Sequence, residues 1–423
     1  MGFLSFIMSD VLSQPAVLIG IFALIGLIAQ KKSSAEVITG SLKATTGFLI
    51  LGAGAGTLVG ALNNFSIVFT QAFNITGVIP NNEAIVALAQ KTFGAETALI
   101  MVFGMLVNIL LARITPLKFI FLTGHHTMFM ACMLSAILVG AGFEGATLVV
   151  IGSLVLGLLM VVMPALAQPF MRKITGSDEV ALGHFGTLGY VASALVGKVI
   201  GNPEKSTEEI QLPKGLMFLR DTTVATGVTM LVLFLISVLA AGSGFVQEKV
   251  SGGTNYIMFA ILQSLTFAAG VYIVLAGVRM IISEIVPAFK GFADKIVPDA
   301  KPALDCPIVF PYASTAVIIG FLSSFAAGVV GMFILSAMGA TVIIPGVIPH
   351  FFTGAAAGVF GNATGGRRGA IAGAFANGLL ITFLPVLLLP VLGSLGYENT
   401  TFGDADFGVV GIILGNLLKL FAR

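Results

Sequence analysis

The sequence is short of charge: only 9% of its 423 residues are Asp, Glu, Lys or Arg, whereas 57% are hydrophobic. Soluble domains carry roughly 25% charged residues, so a soluble fold is excluded and an all-α polytopic membrane protein is predicted. The net charge of +2 gives no basis for binding nucleic acid. Tryptophan is absent, whereas 52 glycines indicate close helix packing and backbone that bends around a ligand.

Cysteine is also scarce, since only Cys132 and Cys306 occur and both lie in apolar stretches. Two isolated cysteines exclude a disulfide framework, and a small buried side chain is the expected role of each. The sequence lacks a phosphate-binding loop, zinc-ligand spacing and a nucleophile elbow. We therefore predict no metal, no cofactor and no self-sufficient enzyme. Neither a cleavable signal peptide nor an appended soluble domain is expected.

Apolar runs near the length of about 20 residues that crosses a bilayer recur along the chain. Lysine and arginine mark the cytoplasmic side, and their positions after the first run, near residue 172 and at the C-terminus place the N-terminus outside. We predict a first membrane repeat (1–200), a cytoplasmic linker (201–214), and a second repeat with a terminal helix (215–423). The clearest runs are 11–29, 42–62, 97–111, 146–167, 223–241, 256–282, 316–337, 371–392 and 409–421.

The two halves repeat one pattern of residues. Their common register sets Asn82 opposite Asp305, and a shift of one residue pairs Glu83 with Asp305 instead. Inverted repeats place a substrate site at their interface, where broken segments form it. The matching positions are Ser41, Leu42, Gly47, Ile50 and Gly54 with Ser264, Leu265, Gly270, Ile273 and Gly277, and Phe121-Leu122-Thr123-Gly124 with Phe351-Phe352-Thr353-Gly354.

Two of the four histidines interrupt an apolar run, in the stretch Leu122–Met130. Polar groups in hydrocarbon are tolerated where they are paired or line a cavity. We predict a re-entrant hairpin or broken helix in which His125 or His126 contacts a ligand; the alternative is an interhelical hydrogen bond. His184 has a similar context, whereas His350 is predicted to be structural.

Asp305 lies in a proline-rich stretch that returns to the membrane. An intramembrane carboxylate indicates function, either accepting hydrogen bonds from substrate hydroxyls or acting as a general base. The alternative is a surface ion pair with Lys301 or Lys295. Asn82 and Glu83 share the functional interpretation by symmetry.

Other charged positions suggest structural roles. Arg279 and Glu284 favour a structural or gating role, and Arg220-Asp221 a local pair. The segment Gly365-Gly366-Arg367-Arg368 is predicted to be an inside-positive loop that can dock a cytosolic partner.

Taken together and in order, several of these stretches resemble the membrane-embedded IIC component of the ascorbate-type bacterial phosphotransferase system. The resemblance implies a homodimer in the bacterial cytoplasmic membrane, with about eleven spans divided between a scaffold and a mobile core that moves like an elevator. It also implies that a phosphocysteine on a separate IIB protein phosphorylates the sugar. The stretches are Leu122-Thr123-Gly124-His125, Gly183-His184, Gly277-Val278-Arg279-Met280, Ala288-Phe289, Gly291, Asp305-Cys306, Ile343-Ile344-Pro345-Gly346 and Ile348-Pro349.

The resemblance also implies a set of substrate-binding residues. Apolar neighbours replace the glutamines that follow both histidines in the ascorbate members, so the expected ligand is a hydroxylated small molecule, L-ascorbate or a related sugar or sugar acid. The alternative is an ion-coupled secondary transporter on the same scaffold, with Asp305 and Glu83 carrying protons or sodium. The implied site residues are Asn82, Glu83, His125, His126, Thr127, Met128, Phe129, His184, Phe185 and Asp305.

Overall fold

The computed structural model describes residues 14–74, 77–210, 221–295, 297–397 and 400–421. Within them, six helices are long and apolar enough to cross a membrane, or seven if a pair bent by 106° forms one span. The chain is therefore an all-α polytopic membrane protein, as its low charge content predicts. The finer number of about eleven spans stays a prediction.

The longer helices and the strands follow one another along the chain, and short helical turns at Ser243–Phe245 and Val246–Val250 lie in one of the longer connections. In order they are α1 (Pro15–Ala29), α2 (Ser34–Phe73), β1 (Ile79–Pro80), α3 (Asn82–Ile114), β2 (Phe119–Phe121), α4 (Gly124–Gly140), α5 (Gly145–Thr175), β3 (Ala181–Leu182), α6 (Thr187–Ile200), α7 (Thr222–Ala241), α8 (Tyr256–Lys295), β4 (Lys301–Leu304), α9 (Ser314–Ala337), α10 (Val347–Leu388), β5 (Thr400–Thr401) and α11 (Ala405–Phe421). Short 3₁₀ turns include Thr207–Glu209 and Cys306–Tyr312.

Two groups of helices can be distinguished by their packing. Helices α1, α2, α7 and α8 pack most extensively with one another, and so do the remaining helices. Helices α2 and α8 approach closely through glycine: a β-carbon on Gly54 would lie 2.6 Å from the Val274 nitrogen, and one on Gly277 would lie 2.5 Å from the Leu51 nitrogen. Gly54 and Gly277 are matched positions of the predicted repeat, so each half contributes the same residue to the contact.

Two small parallel sheets lie within the second group, and the sequence did not predict them. Strand β1 pairs with β5, and β4 lies between β2 and β3. Backbone polar groups inside a membrane protein need partners. On the edge of β2, the side-chain amide of Asn108 donates to the Phe119 carbonyl (2.9 Å) and accepts from the Phe121 N–H (3.0 Å). Beside β3, the Gln168 amide donates to the Val180 carbonyl (3.3 Å).

Helix α10 is a hairpin of two helical arms. Gly366 breaks it with φ 57° and ψ −146°, a conformation open to glycine. The Asn377 amide on the second arm donates to Thr353 Oγ1 on the first arm (3.1 Å). The match of Thr353-Gly354 with Thr123-Gly124 predicts a second break of the helix there. This prediction is wrong, because both residues lie inside the first arm. The histidine-bearing stretch does contain a break in helical structure, because β2 ends at Phe121 and α4 begins at Gly124.

Candidate functional site

Three of the predicted site residues follow the three strands of the larger sheet. His125 follows β2, His184 follows β3, and Asp305 directly follows β4. The strands are parallel, so their carboxyl ends share one edge and bring the side chains together. His125 Nε2 lies 3.3 Å from Asp305 Oδ2, and His184 Nε2 lies 3.7 Å from Asp305 Oδ1.

The smaller sheet supplies a second polar group in the same way. Asn82 follows β1 and Asp404 follows β5, and β1 and β5 are parallel. The Asn82 amide donates to Asp404 Oδ2 (3.0 Å) and accepts from the Gly403 backbone N–H (2.8 Å). His126 Nε2 lies 3.9 Å from the same Asp404 oxygen, so the histidine stretch connects the two sheets.

Both groups of residues face a cavity of about 550 Å³. Helix α2, from the first helix group, closes one side of it with apolar side chains and glycine. The predicted residues that line the cavity are Asn82, His125, His126, Met128, Phe129, His184 and Asp305; the others are Phe48, Leu51, Gly52, Gly56, Val59, Val86, Cys306, Pro307, Ile348, Pro349, Phe352 and Asp404.

The remaining predicted site residues are placed differently. Thr127 is buried and its hydroxyl donates to the Thr123 carbonyl within α4 (3.1 Å). Phe185 is fully buried and stacks on Phe121 at 4.9 Å between ring centroids. Both stabilise the shape of the site from behind the lining. The side chain of Glu83 lies outside what the structure describes.

Backbone amides determine the tautomers of two buried histidines. The Gly186 N–H donates to His184 Nδ1 (3.0 Å), and the Phe185 N–H donates to His126 Nδ1 (3.4 Å). The Tyr190 hydroxyl also lies 2.8 Å from His184 Nδ1. Because a backbone N–H can only donate, each Nδ1 is an acceptor and each Nε2 carries the hydrogen. Both rings therefore present an N–H donor towards a carboxylate.

The same cluster has the spacing of a metal site, since the ligand atoms of His126, His184 and Asp404 lie within 4.8 Å of one another. A metal ion would need the Nε2 lone pairs. In His126 and His184, Nδ1 accepts a backbone N–H and Nε2 carries the hydrogen, so Nε2 has no free lone pair for a metal ion. This arrangement suits hydrogen bonding to a ligand. The absence of a metal stays a prediction.

Sequence reasoning missed two acids at the start of α11. Asp404 lines the cavity, and Asp406 accepts from the backbone N–H groups of Thr187 (3.1 Å) and Leu188 (2.7 Å) at the start of α6. The Asp406 N–H donates to the Phe185 carbonyl (3.1 Å), which secures the segment that carries His184. The sequence did indicate both residues, because two acids at the start of an apolar run form the same pattern that identified Asp305 as a candidate.

The alternative role for Asp305, a surface ion pair with Lys301, is wrong because Lys301 pairs with Asp178. Partial burial raises the pKa of Asp178, but hydrogen bonds from Arg172, Lys301 and Gln168 outweigh it and hold that pKa well below its usual range.

Several of the structural predictions concern residues outside the cavity. His350 is buried and its Nδ1 lies 2.8 Å from Ser324 Oγ, in agreement with a structural role. Glu284 pairs with Lys43 across α2 and α8 (3.5 Å). Asp221 caps α7 through the Val224 N–H (3.0 Å), and Arg220 lies outside the described residues.

The segment Gly365-Gly366-Arg367-Arg368, predicted to dock a partner, is hydrogen-bonded to residues 206–209, which belong to the predicted linker. Arg367 donates to the Ser206 and Glu209 carbonyls, both at 3.0 Å. Arg368 remains exposed at the same place.

A family model described as the PTS system sugar-specific permease component (EIIC-GAT) matches residues 10–406. A relative named "Ascorbate-specific PTS system EIIC component", from Mycoplasma pneumoniae, is 27% identical over 422 aligned positions. The alignment covers 86% of this chain, and the chain spans 63% of the length of that relative. The chain belongs to the family of sugar-specific permease components of the phosphotransferase system.

Proposed function

We propose that the chain binds a small hydroxylated sugar or sugar acid, L-ascorbate or a related compound, and carries it across the bacterial cytoplasmic membrane. A phosphorylated IIB protein then receives it on the cytoplasmic side. The observation that carries the proposal is the convergence of His125, His184 and Asp305 at one sheet edge in a cavity of about 550 Å³. The family membership and the named relative support it.

The lining suits a ligand with several hydroxyl groups. Each hydroxyl both donates and accepts a hydrogen bond. The carboxylates of Asp305 and Asp404 accept, whereas His126 and His184 donate through Nε2. Phe129 and Phe352 supply apolar surface for the carbon skeleton. A site built to pair each hydroxyl rejects analogues that lack one.

In this proposal the IIB protein supplies the phosphoryl group, and this chain holds the substrate and supplies Asp305 as the general base. Asp305 would take the proton of a substrate hydroxyl while the oxygen of that hydroxyl attacks the phosphorus of the IIB phosphocysteine. The phosphorus–sulfur bond breaks in the same step, and the cysteine leaves as a thiolate. No phosphate is carried by this chain in that scheme.

We propose that α1, α2, α7 and α8 form the dimerising scaffold and that the other helices carry the substrate as an elevator. Their separate packing supports this division. Two inverted repeats would build the cavity, and the lining residues that recur 223 positions apart support this. This is the spacing of the match between Gly54 and Gly277, and it replaces the spacing of 230 that matched Phe121 with Phe351. The pairs are Asn82 with Asp305, His125 with Ile348, His126 with Pro349 and Phe129 with Phe352.

Transport into membrane vesicles tests the function. Labelled substrate is expected to accumulate as its phosphate ester only when phosphorylated IIB is supplied, and Asp305→Asn is expected to abolish this accumulation. Glu248→Gln is the matched control, since it removes one exposed carboxylate outside the cavity lining. Unphosphorylated substrate driven by an ion gradient, without IIB, would support the secondary transporter and contradict our proposal.

A further inference from the structure

A second cavity, of about 620 Å³, lies between α3 and α5 and shares no residue with the cavity of the candidate site. We call it the α3–α5 groove. Its walls are apolar, and Phe103, Val150 and Leu154 are each about half exposed, so the groove opens on the outer surface of the two helices. Both helices are long and apolar enough to cross the membrane. The groove therefore faces lipid.

Two polar side chains, Glu96 and Ser153, occur in the described lining of the α3–α5 groove. Ser153 is 4% exposed, and its hydroxyl oxygen has no hydrogen-bond partner among the residues that the structure describes. Burying a hydroxyl without a partner costs free energy. The hydroxyl is therefore available to a polar group that enters the groove.

Glu96 lies near one end of its membrane span, Thr92–Ile114, about 6 Å along the helix from the first residue. Lipid headgroups meet the hydrocarbon near the ends of such a span. The side chain is half-buried, and no lysine or arginine within the described part of the chain forms an ion pair with it. Its carboxylate can therefore accept hydrogen bonds from a cationic headgroup.

The packing of α3 against α5 determines how far apart these two polar groups lie. A β-carbon on Gly152 would meet Ile100, and one on Gly157 would meet Val107. The two helices therefore run in the same direction, with residues 100 and 152 at one level. The helical rise of about 1.5 Å per residue then places residue 153 about 7 Å deeper in the membrane than residue 96.

We propose that the α3–α5 groove binds one phospholipid whose headgroup carries a primary ammonium group, as in phosphatidylethanolamine. The depth difference between Glu96 and Ser153 matches the reach from the ammonium group of such a lipid to its nearer ester carbonyl. Glu96 accepts hydrogen bonds from the ammonium group, and Ser153 donates one to the ester carbonyl. One acyl chain packs on Phe103, Val107 and Leu154. The site does not depend on the identity of the transported substrate.

A single tryptophan reports on the lipid in the groove, because the sequence contains none. Phe103→Trp places it in the groove wall, and Phe333→Trp places it on another helix, where the side chain is 64% exposed. The full chain is reconstituted in phosphatidylcholine bilayers with an equal fraction of brominated phosphatidylethanolamine, phosphatidylglycerol or phosphatidylcholine. Bromine on an acyl chain quenches only adjacent tryptophan, so the quenching measures relative binding.

In the Phe103→Trp protein, phosphatidylethanolamine is expected to bind about fivefold more tightly than either other lipid, the equivalent of one hydrogen bond. No preference is expected in the Phe333→Trp protein. Adding Glu96→Gln should abolish the preference, and Glu96→Lys should invert it in favour of phosphatidylglycerol, a result that misfolding cannot produce. Glu144→Gln removes an exposed carboxylate at the start of α5, outside the groove lining, and should leave the preference unchanged.

A dialkyl-ether phosphatidylethanolamine, which lacks the ester carbonyl, tests the contact of Ser153. It should displace the brominated lipid less well than an unbrominated diester does, and Ser153→Ala should remove the difference. Equal displacement without that substitution would exclude the Ser153 contact. Phosphatidylcholine or phosphatidylglycerol binding as tightly as phosphatidylethanolamine, or a preference retained in Glu96→Lys, would overturn the proposal and leave the proposed function intact.

Discussion

The hydrogen positions on two buried imidazoles follow from contacts that involve no ligand. Gly186 and Phe185 direct their N–H groups at Nδ1 of His184 and His126. The hydroxyl of Tyr190 shares His184 Nδ1 and, because that nitrogen is already an acceptor, Tyr190 donates. Tyr190 is fully buried and is absent from the cavity lining, so it acts on the ligand through His184.

Tyr190→Phe tests this positioning role. The Gly186 N–H still satisfies Nδ1 in the variant, so the imidazole keeps its tautomer and loses one of two contacts that orient it. Kd is expected to rise by at most roughly fivefold, the equivalent of one hydrogen bond of about 1 kcal/mol. Calorimetric titration of the best ligand measures it, with His184→Ala as the comparison. An equally severe loss in both variants would contradict a supporting role and indicate that Tyr190 contacts the ligand itself.

The identity of the polar side chains in the cavity was the part of the site that could best be predicted from the sequence. His125, His184 and Asp305 were predicted because polar groups in apolar sequence indicate function, and Asn82 was predicted from its repeat match to Asp305. All four line one cavity. Tyr190 could not be predicted from sequence. Its importance depends on a contact made by folding, and a tyrosine in an apolar helix carries no distinguishing signal.

At the scale of elements, the helices were predictable and the sheets were not. Periodicity and length identify helices of 20 residues or more. The five strands contain two to four residues each, too few to show alternation, and their pairing joins segments far apart in sequence. The matched glycines Gly47-Gly54 and Gly270-Gly277 lie on α2 and α8, and Gly54 and Gly277 lie at the contact between these helices. The inverted repeat itself stays a prediction.

The packing of α2 against α8 gives an element-scale prediction. A β-carbon on Gly54 would meet the Val274 backbone at 2.6 Å, so Gly54→Ala must separate the helices and is expected to cost about 1–3 kcal/mol. Gly60 lies on the same helix with no atom within 4 Å of its β-carbon position. Gly60→Ala is therefore the matched control and is expected to be neutral or to stabilise by up to about 1 kcal/mol. Thermal unfolding in detergent measures both, and equal effects would contradict the packing argument.

On the scale of the whole molecule, a continuous hydrophobic cluster joins the two helix groups, and aromatic side chains contribute to it from both sides. Phe69 of α2 contacts Phe325 of α9 at 5.5 Å between ring centroids, and this contact crosses the boundary. Phe234 of α7 contacts Phe259 of α8 at 6.3 Å inside the first group. If the second group moves as an elevator, the first contact must break in each cycle and the second must persist.

Cross-linking distinguishes these contacts. Cysteines replace Phe69 and Phe325 in one variant, and Phe234 and Phe259 in another, both on a background in which Cys132 and Cys306 are alanine. A short bifunctional thiol reagent is expected to stop transport in the first variant and to leave it in the second, because only the first pair joins parts that slide past each other. Ligand binding in both should equal that of the background without cysteines, which itself lacks the Cys306 side chain of the cavity lining, since none of the four phenylalanines lines the cavity. Undiminished transport by a fully cross-linked 69–325 pair would rule out the elevator, because a fixed boundary cannot carry the cavity between the two sides.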